Sequence, residues 1–175
     1  FQLLEKYNLS YDNWSPDFSR LPRLAELANQ FPAVTVIVNH LGGRSDPDAD
    51  ASEISAWQAA IDSVAACPNT VMKLGGAQMR VGDWEPPYHM HRAAAPWHSD
   101  TFLATLLPRY QYALEAFGPD RCMFESNFPV DKDCISYRTL WNLFKKIAKE
   151  LGLSEAEKTD VFSGTAARAY RLTAP

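Results

Sequence analysis

The sequence predicts an α/β fold of four successive βα units with parallel strands, closed by a short helical segment. Three observations predict it. Short β-branched runs alternate with longer one-faced stretches along the whole chain. One of those runs, VTVIVN at 34–39, is almost continuously apolar, as a strand covered on both faces should be. Polar residues and glycines recur just after the strand candidates, where parallel α/β folds gather their functional groups.

Each element has its own signal. The opening FQLLEKYNLSYD reads as mid-helix, without an initiator Met or a signal peptide, so an upstream portion is expected. A first strand is expected over 9–14. Ser15 then suits an N-cap and Pro16 the first helical position, and Leu21, Leu24, Leu27, Ala28 and Phe31 form one apolar stripe. The second strand is 34–39, followed by an Asp-rich loop and a helix over 52–66. TVMKL at 70–74 is the third strand, closed by Gly75-Gly76. Residues 77–98 read as a long loop rich in Pro and His, and a helix follows to about 117. CMFE at 122–125 is the fourth strand, ending at SNFP. Leu140, Trp141, Phe144, Ile147, Ala148 and Leu151 mark another one-faced helix, and Ser154 with Glu157 makes a capping box for the last helical region. There Arg168, Tyr170 and Arg171 read as structural.

Composition narrows the function. The chain has 175 residues, 46% hydrophobic and 22% charged, which suits one core-forming domain. A net charge of −4 gives no broad basic surface for nucleic acid or anionic lipid, and no apolar run nears the roughly 20 residues of a membrane helix. Cys67, Cys122 and Cys134 are odd in number and lack CxxC spacing, which points to a reducing, cytoplasmic setting and to packing roles.

A doubly wound sheet and a (β/α)8 TIM barrel both fit the alternation. The glycine turns match neither GxGxxG nor a P-loop, and the polar signals fall after strand upon strand, which favours the barrel. Such a barrel takes about 250 residues. Residues 1–175 are therefore expected to be a partial barrel, with two open edges and an exposed apolar inner face. Such a half needs a missing N-terminal half or a second copy of itself, and alone it is not expected to be a soluble, active monomer.

Four segments, VNHLGG (38–43), KLGGAQMR (73–80), FGPDRCMFESNFPVDK (117–132) and FSGTAARAYRL (162–172), stand in an order and spacing that resemble the amidohydrolase superfamily. The resemblance is to its amidohydrolase-related branch of sugar lactonases and 2-pyrone-4,6-dicarboxylate lactonases. It implies that this chain is the C-terminal half, strands five to eight of the barrel. It also implies a first strand upstream with a His-x-His metal motif, which nothing before Leu9 supplies.

Candidate chemistry follows the strand ends. His40 stands just after the second strand; the resemblance makes it a metal ligand or a polariser of the scissile carbonyl, and a plain hydrogen-bonded His is the alternative. The family's last strand typically ends Ser-Asp-Trp-Pro, whereas this chain has Ser126-Asn127-Phe128-Pro129. An amide cannot take a proton at neutral pH, so if hydrolysis occurs its base lies elsewhere, or Asn127 orients water or substrate. Side chains at i and i+2 share a strand face, so if Asn127 points inward Glu125 does too. Lys73 is expected to pair with Glu125 across neighbouring strands, because a buried charge needs a partner. Asp12 is a further candidate base; either carboxylate could instead be structural. His89-Met90-His91 imitates a metal motif but falls in a loop, where Arg80, His91 and Arg92 are read either as cations for a substrate carboxylate or as the charge of a solvated loop. Trp84, Tyr88 and Trp97 either line a pocket there or pack the loop down.

The resemblance implies hydrolysis of a lactone or cyclic ester of a small acidic or sugar-derived compound. The cofactor expected is one divalent metal, zinc or manganese, unless the reaction is metal-free. A related decarboxylase or hydratase is the enzymatic alternative, and a non-catalytic binding protein or inactive fragment the other. The expected partner is a small-molecule substrate, not nucleic acid or membrane.

Overall fold

The computed structural model describes residues 1–43, 49–77 and 98–172. Its elements are α1 (Gln2–Lys6), β1 (Tyr11–Asn13), α2 (Leu21–Gln30), β2 (Val36–Val38), α3 (Ala51–Ala65), β3 (Thr70–Leu74), α4 (Ser99–Phe117), β4 (Cys122–Phe124), α5 (Tyr137–Glu150), α6 (Glu155–Thr159) and α7 (Thr165–Tyr170). The four strands form one parallel sheet in the order β1-β2-β3-β4. The fold class is the one the alternation predicts. No helix among the described residues is long and apolar enough to cross a membrane.

Register sorts the strand residues into two faces. Asp12 aligns with Ile37 and Val71, and Lys73 aligns with Met123. With a period of two, Asp12, Ile37, Val71, Lys73 and Met123 share one face. Val36, Val38, Met72, Leu74, Cys122 and Phe124 share the other, and they pack with the buried stripes of α2, α3, α4 and α5. Those stripes follow from sequence spacing: Leu21, Leu24, Ala25 and Ala28 are buried on α2, and Leu140, Leu143, Phe144, Ile147 and Ala148 on α5. Each large aliphatic side chain so buried contributes about 1.5–3 kcal/mol.

Three expectations are corrected here. β1, β2 and β4 are shorter than the apolar runs suggest, while β3 spans the expected 70–74. Ser15 caps no helix: Asp17 caps the 3-10 turn Phe18–Arg20 that leads into α2, whose own N-cap is Arg20. Asp17 accepts from the Ser19 amide, and its carboxyl is held below the usual range, first by the Ser19 side chain and then by that amide. Ser15 is occupied locally, its Oγ accepting from the Asp17 amide at 3.2 Å. The third correction concerns the inner face, whose apolar centre is covered. Ile37 and Met123 are 0% and 2% exposed because Ala166, Ala169 and Tyr170 of α7 lie against them. Ser10 Oγ donates to the Ala169 carbonyl at 2.9 Å, fastening that helix beside β1.

Candidate active site

The inner face ends, at the carboxyl side of the strands, in a cluster of ionisable groups. β2 delivers His40, β3 Lys73, β1 Asp12 and β4 Glu125. The turn His40–Gly42 is left-handed, with φ of 57° at His40, 54° at Leu41 and 77° at Gly42. Left-handed backbone costs a non-glycine residue about 1–2 kcal/mol, so something must hold it. Trp57 on α3 does: it is 1% exposed, and its Nε1 donates to the Leu41 carbonyl at 3.0 Å.

His40 Nδ1 meets Glu125 Oε1. Their side chains are only 12% and 18% exposed, so the pair works largely out of water. Gly75 and Gly76 make the room. A Cβ on Gly76 would stand 2.6 Å from His40 Cγ, and one on Gly75 would run into the Glu125 side chain and carbonyl. The glycine pair that reads in sequence as a strand end is therefore the floor of the His–Glu pair.

Below that pair lies a second layer. Lys73 Nζ is 2.7 Å from Asp12 Oδ1 and 3.8 Å from Glu125 Oε2, so the expected Lys73–Glu125 contact is present but the closer partner is Asp12. Tyr170, read from sequence as structural, donates its hydroxyl to Asp12 Oδ1 at 2.7 Å, and the Lys73 ammonium stands 5.5 Å from its ring centroid. Burial pulls the Lys73 pKa down, but the hydrogen bonds with Asp12 and Tyr170 and the charge of Glu125 outweigh it and leave it above the usual value. The Tyr170 hydroxyl is pushed up to about 12, first by burial. No local signal could have found Tyr170, because it lies 158 residues from Asp12 in sequence. Arg168, by contrast, is structural as expected, tied to Asp160 and the Asp120 carbonyl.

Asn127 departs from the strand pattern. β4 stops at Phe124, and Asn127 has φ of 50°, so alternation along the strand no longer governs where it points. Its Nδ2 donates to Asp131 Oδ1 at 2.7 Å. Sequence reasoning passed over Asp131, which is 1% exposed. Arg80, His91 and Arg92, with His89, Trp84, Tyr88 and Trp97, lie outside the described residues.

A metal centre does not assemble from these groups. Among the described residues no three His, Cys, Asp or Glu side chains converge on a point, and His40 commits Nδ1 to Glu125. A catalytic zinc takes three protein ligands, and the described residues do not supply such a trio by themselves.

The sequence model described as amidohydrolase matches residues 1–172. The chain is 36% identical over 172 residues to the uncharacterized protein y4mH of Sinorhizobium fredii, covering 98% of this chain and 50% of that one. It is 33% identical over 158 residues to an L-fucono-1,5-lactonase of Burkholderia multivorans, covering 89% and 49%. Among solved structures it matches an amidohydrolase of Burkholderia multivorans with bound zinc at a TM-score of 0.79 and 29% identity, covering 98% of this chain and 55% of that one. The chain thus spans about half the length of the curated relatives it matches.

Proposed function

Since this chain belongs to the amidohydrolase family, we propose that it forms part of a hydrolase that opens the ring ester of a small sugar-derived or acidic lactone, with His40 as the base. One observation carries the reading: the His40 Nδ1–Glu125 contact at the strand ends. A carboxylate accepts only. It fixes the proton of a neutral imidazole on Nδ1 and leaves Nε2 as the acceptor. That tautomer takes a proton from water and does not polarise a carbonyl, which shifts the role of His40 from polariser to base.

The reaction then balances within the cluster. Nε2 takes a proton as the water oxygen bonds to the lactone carbonyl carbon. The tetrahedral adduct breaks its ring C–O bond, and the imidazolium returns the proton to the departing ring oxygen, giving the hydroxy acid. Glu125 steadies the imidazolium, as carboxylates do in histidine dyads. Lys73, braced by Asp12 and Tyr170, sets a positive charge beneath the reacting carbonyl. The sugar-derived substrate draws on the lactonase relative. Arg80, His91 and Arg92 are assigned to a substrate carboxylate. The sheet order leaves β1 and β4 as edges, and a further half, from the same polypeptide or a second copy, would pair them.

The test is turnover of a panel of sugar-derived and acidic lactones, L-fucono-1,5-lactone among them, by the parent protein and the His40→Ala and Glu125→Gln variants. General-base loss costs about 10²–10⁴-fold, so His40→Ala should fall at least 100-fold in kcat, and Glu125→Gln by less. His40→Ala within threefold of the parent refutes the assignment.

A further inference from the structure

Position 127 supports a step beyond this reading. Asn127 stands two residues past Glu125, on the strand-end side of β4, and is partly buried. The Asp131 amide donates back to the Asn127 carbonyl at 3.2 Å, so residues 127–131 close as one turn. Across that turn Asn127 Nδ2 donates to Asp131 Oδ1 at 2.7 Å. Asp131 itself is 1% exposed on the turn Val130–Asp133. The buried Tyr110 hydroxyl of α4 feels both Asp131 and Glu125, whose charges add to burial in pushing it far above its usual range.

A carboxamide has two ends, and only its NH2 end can face a carboxylate. With Nδ2 turned to Asp131, Oδ1 is the end left to be presented. We propose that Asp131 is a positioning residue for the hydrolase site: it locks the Asn127 carboxamide so that position 127 offers an acceptor, for the attacking water or a substrate hydroxyl, instead of a donor. Asp131 acts through Asn127 and touches no reacting atom. The proposal rests on the hydrolase reading for its consequence but on the turn geometry for its substance, and the two can fail separately.

Asparagine-selective 15N labelling of the purified protein reads the orientation directly. The Asn127 side-chain signal is identified by its loss in Asn127→Asp. In the parent it should show slow exchange and widely separated NH2 protons, and in Asp131→Ala both should collapse to the values of an exposed asparagine. An Asn127 signal that is already exposed-like in the parent, or that is unchanged in Asp131→Ala, overturns the proposal. Should Asp131→Ala fail to fold, the swap decides. Asn127→Asp sets two carboxylates together and should lower the melting temperature. Adding Asp131→Asn rebuilds the hydrogen bond in reverse and should recover most of the loss, whereas a double variant no more stable than Asn127→Asp overturns the pair. In turnover, Asp131→Ala, which leaves Asn127 Nδ2 no acceptor at 131, should lose about tenfold in kcat/KM, the worth of about one hydrogen bond, and no loss overturns the positioning role. A parent that opens no lactone tells against the hydrolase reading, while the amide signal and the swap still judge Asp131.

Discussion

Replacing Gly76 by Ala tests whether the glycine pair is the floor of the His40–Glu125 pair. Gly76 has φ of +68°, and Gly152, far along the chain, has φ of +64°. Both substitutions therefore pay a similar backbone strain of about 1–2 kcal/mol, offset by about 0.4–1 kcal/mol from the stiffer unfolded chain. They differ in what the new methyl meets. Nothing lies within 4 Å of a Cβ on Gly152, whereas one on Gly76 would press on the His40 ring, 2.6 Å from Cγ and 2.8 Å from Cβ. His40 must swing away from Glu125, and losing a hydrogen bond to a charged group costs about 1.5–3 kcal/mol. Gly152→Ala should thus cost about 0.5–1 kcal/mol and Gly76→Ala about 2–4 kcal/mol. At about 2–4 °C per kcal/mol for a chain of this size, Gly76→Ala should melt about 4–16 °C below the parent, and Gly152→Ala within a few degrees. A base displaced by about 1 Å should lose on the order of 100-fold in turnover, while Gly152→Ala keeps parental rates. Thermal melts and lactone kinetics on the same preparations read both. Equal melting temperatures for the two variants, with Gly76→Ala at parental kcat/KM, would refute the cradle.

Two further predictions use groups around the cluster. Trp57→Phe strands the Leu41 carbonyl that Trp57 Nε1 holds at 3.0 Å. It should cost about 1–3 kcal/mol in urea unfolding and reduce turnover although Trp57 touches no substrate; parental turnover would show that the left-handed turn holds itself. Lys73 has a folded pKa above its ordinary 10.5. Its stabilising share is therefore whole below about pH 10.5 and fades as pH rises through the higher folded value. The melting gap between parent and Lys73→Met should stay level from pH 6 to 9.5 and narrow only above about 10.5; a gap that closes below pH 9 contradicts the network.

Much of this arrangement was legible in the sequence, and the limits have physical reasons. The βα alternation, the buried β2 run and the stripes of α2 and α5 are local periodicities, so they survive folding unchanged. His40 was legible because it follows an apolar strand and precedes two glycines. The Lys73–Glu125 contact across neighbouring strands was legible from strand alternation and the need of a buried charge for a partner, whereas the facing of Asp12 was left open. Parity failed at Asn127, because the strand ends three residues earlier and the chain turns left-handed. Asp131 was missed for the same reason, since a turn contact at i+4 leaves no strand or helix period. Gly76 reads as a strand terminator, and that it faces the His40 ring depends on a loop from another strand. Tyr170 joins the site only because α7 folds over the inner face, a long-range placement with no local trace.

That same placement sets the order in which the molecule can be completed. Ser10 and Asp12 wait for Ala169 and Tyr170, 159 and 158 residues later. At roughly 5–20 residues per second of synthesis, β1 spends about 8–30 s on the ribosome before its partners exist. Through that interval its Asp12 carboxylate and the apolar Ile37 beside it lack their cover, and a nascent chain in this state is open to chaperones and to pairing with its neighbours. Closure by α7 is a high-contact-order event, so a chain cut short before the last turn of this helix would keep the sheet but leave Asp12 without Tyr170.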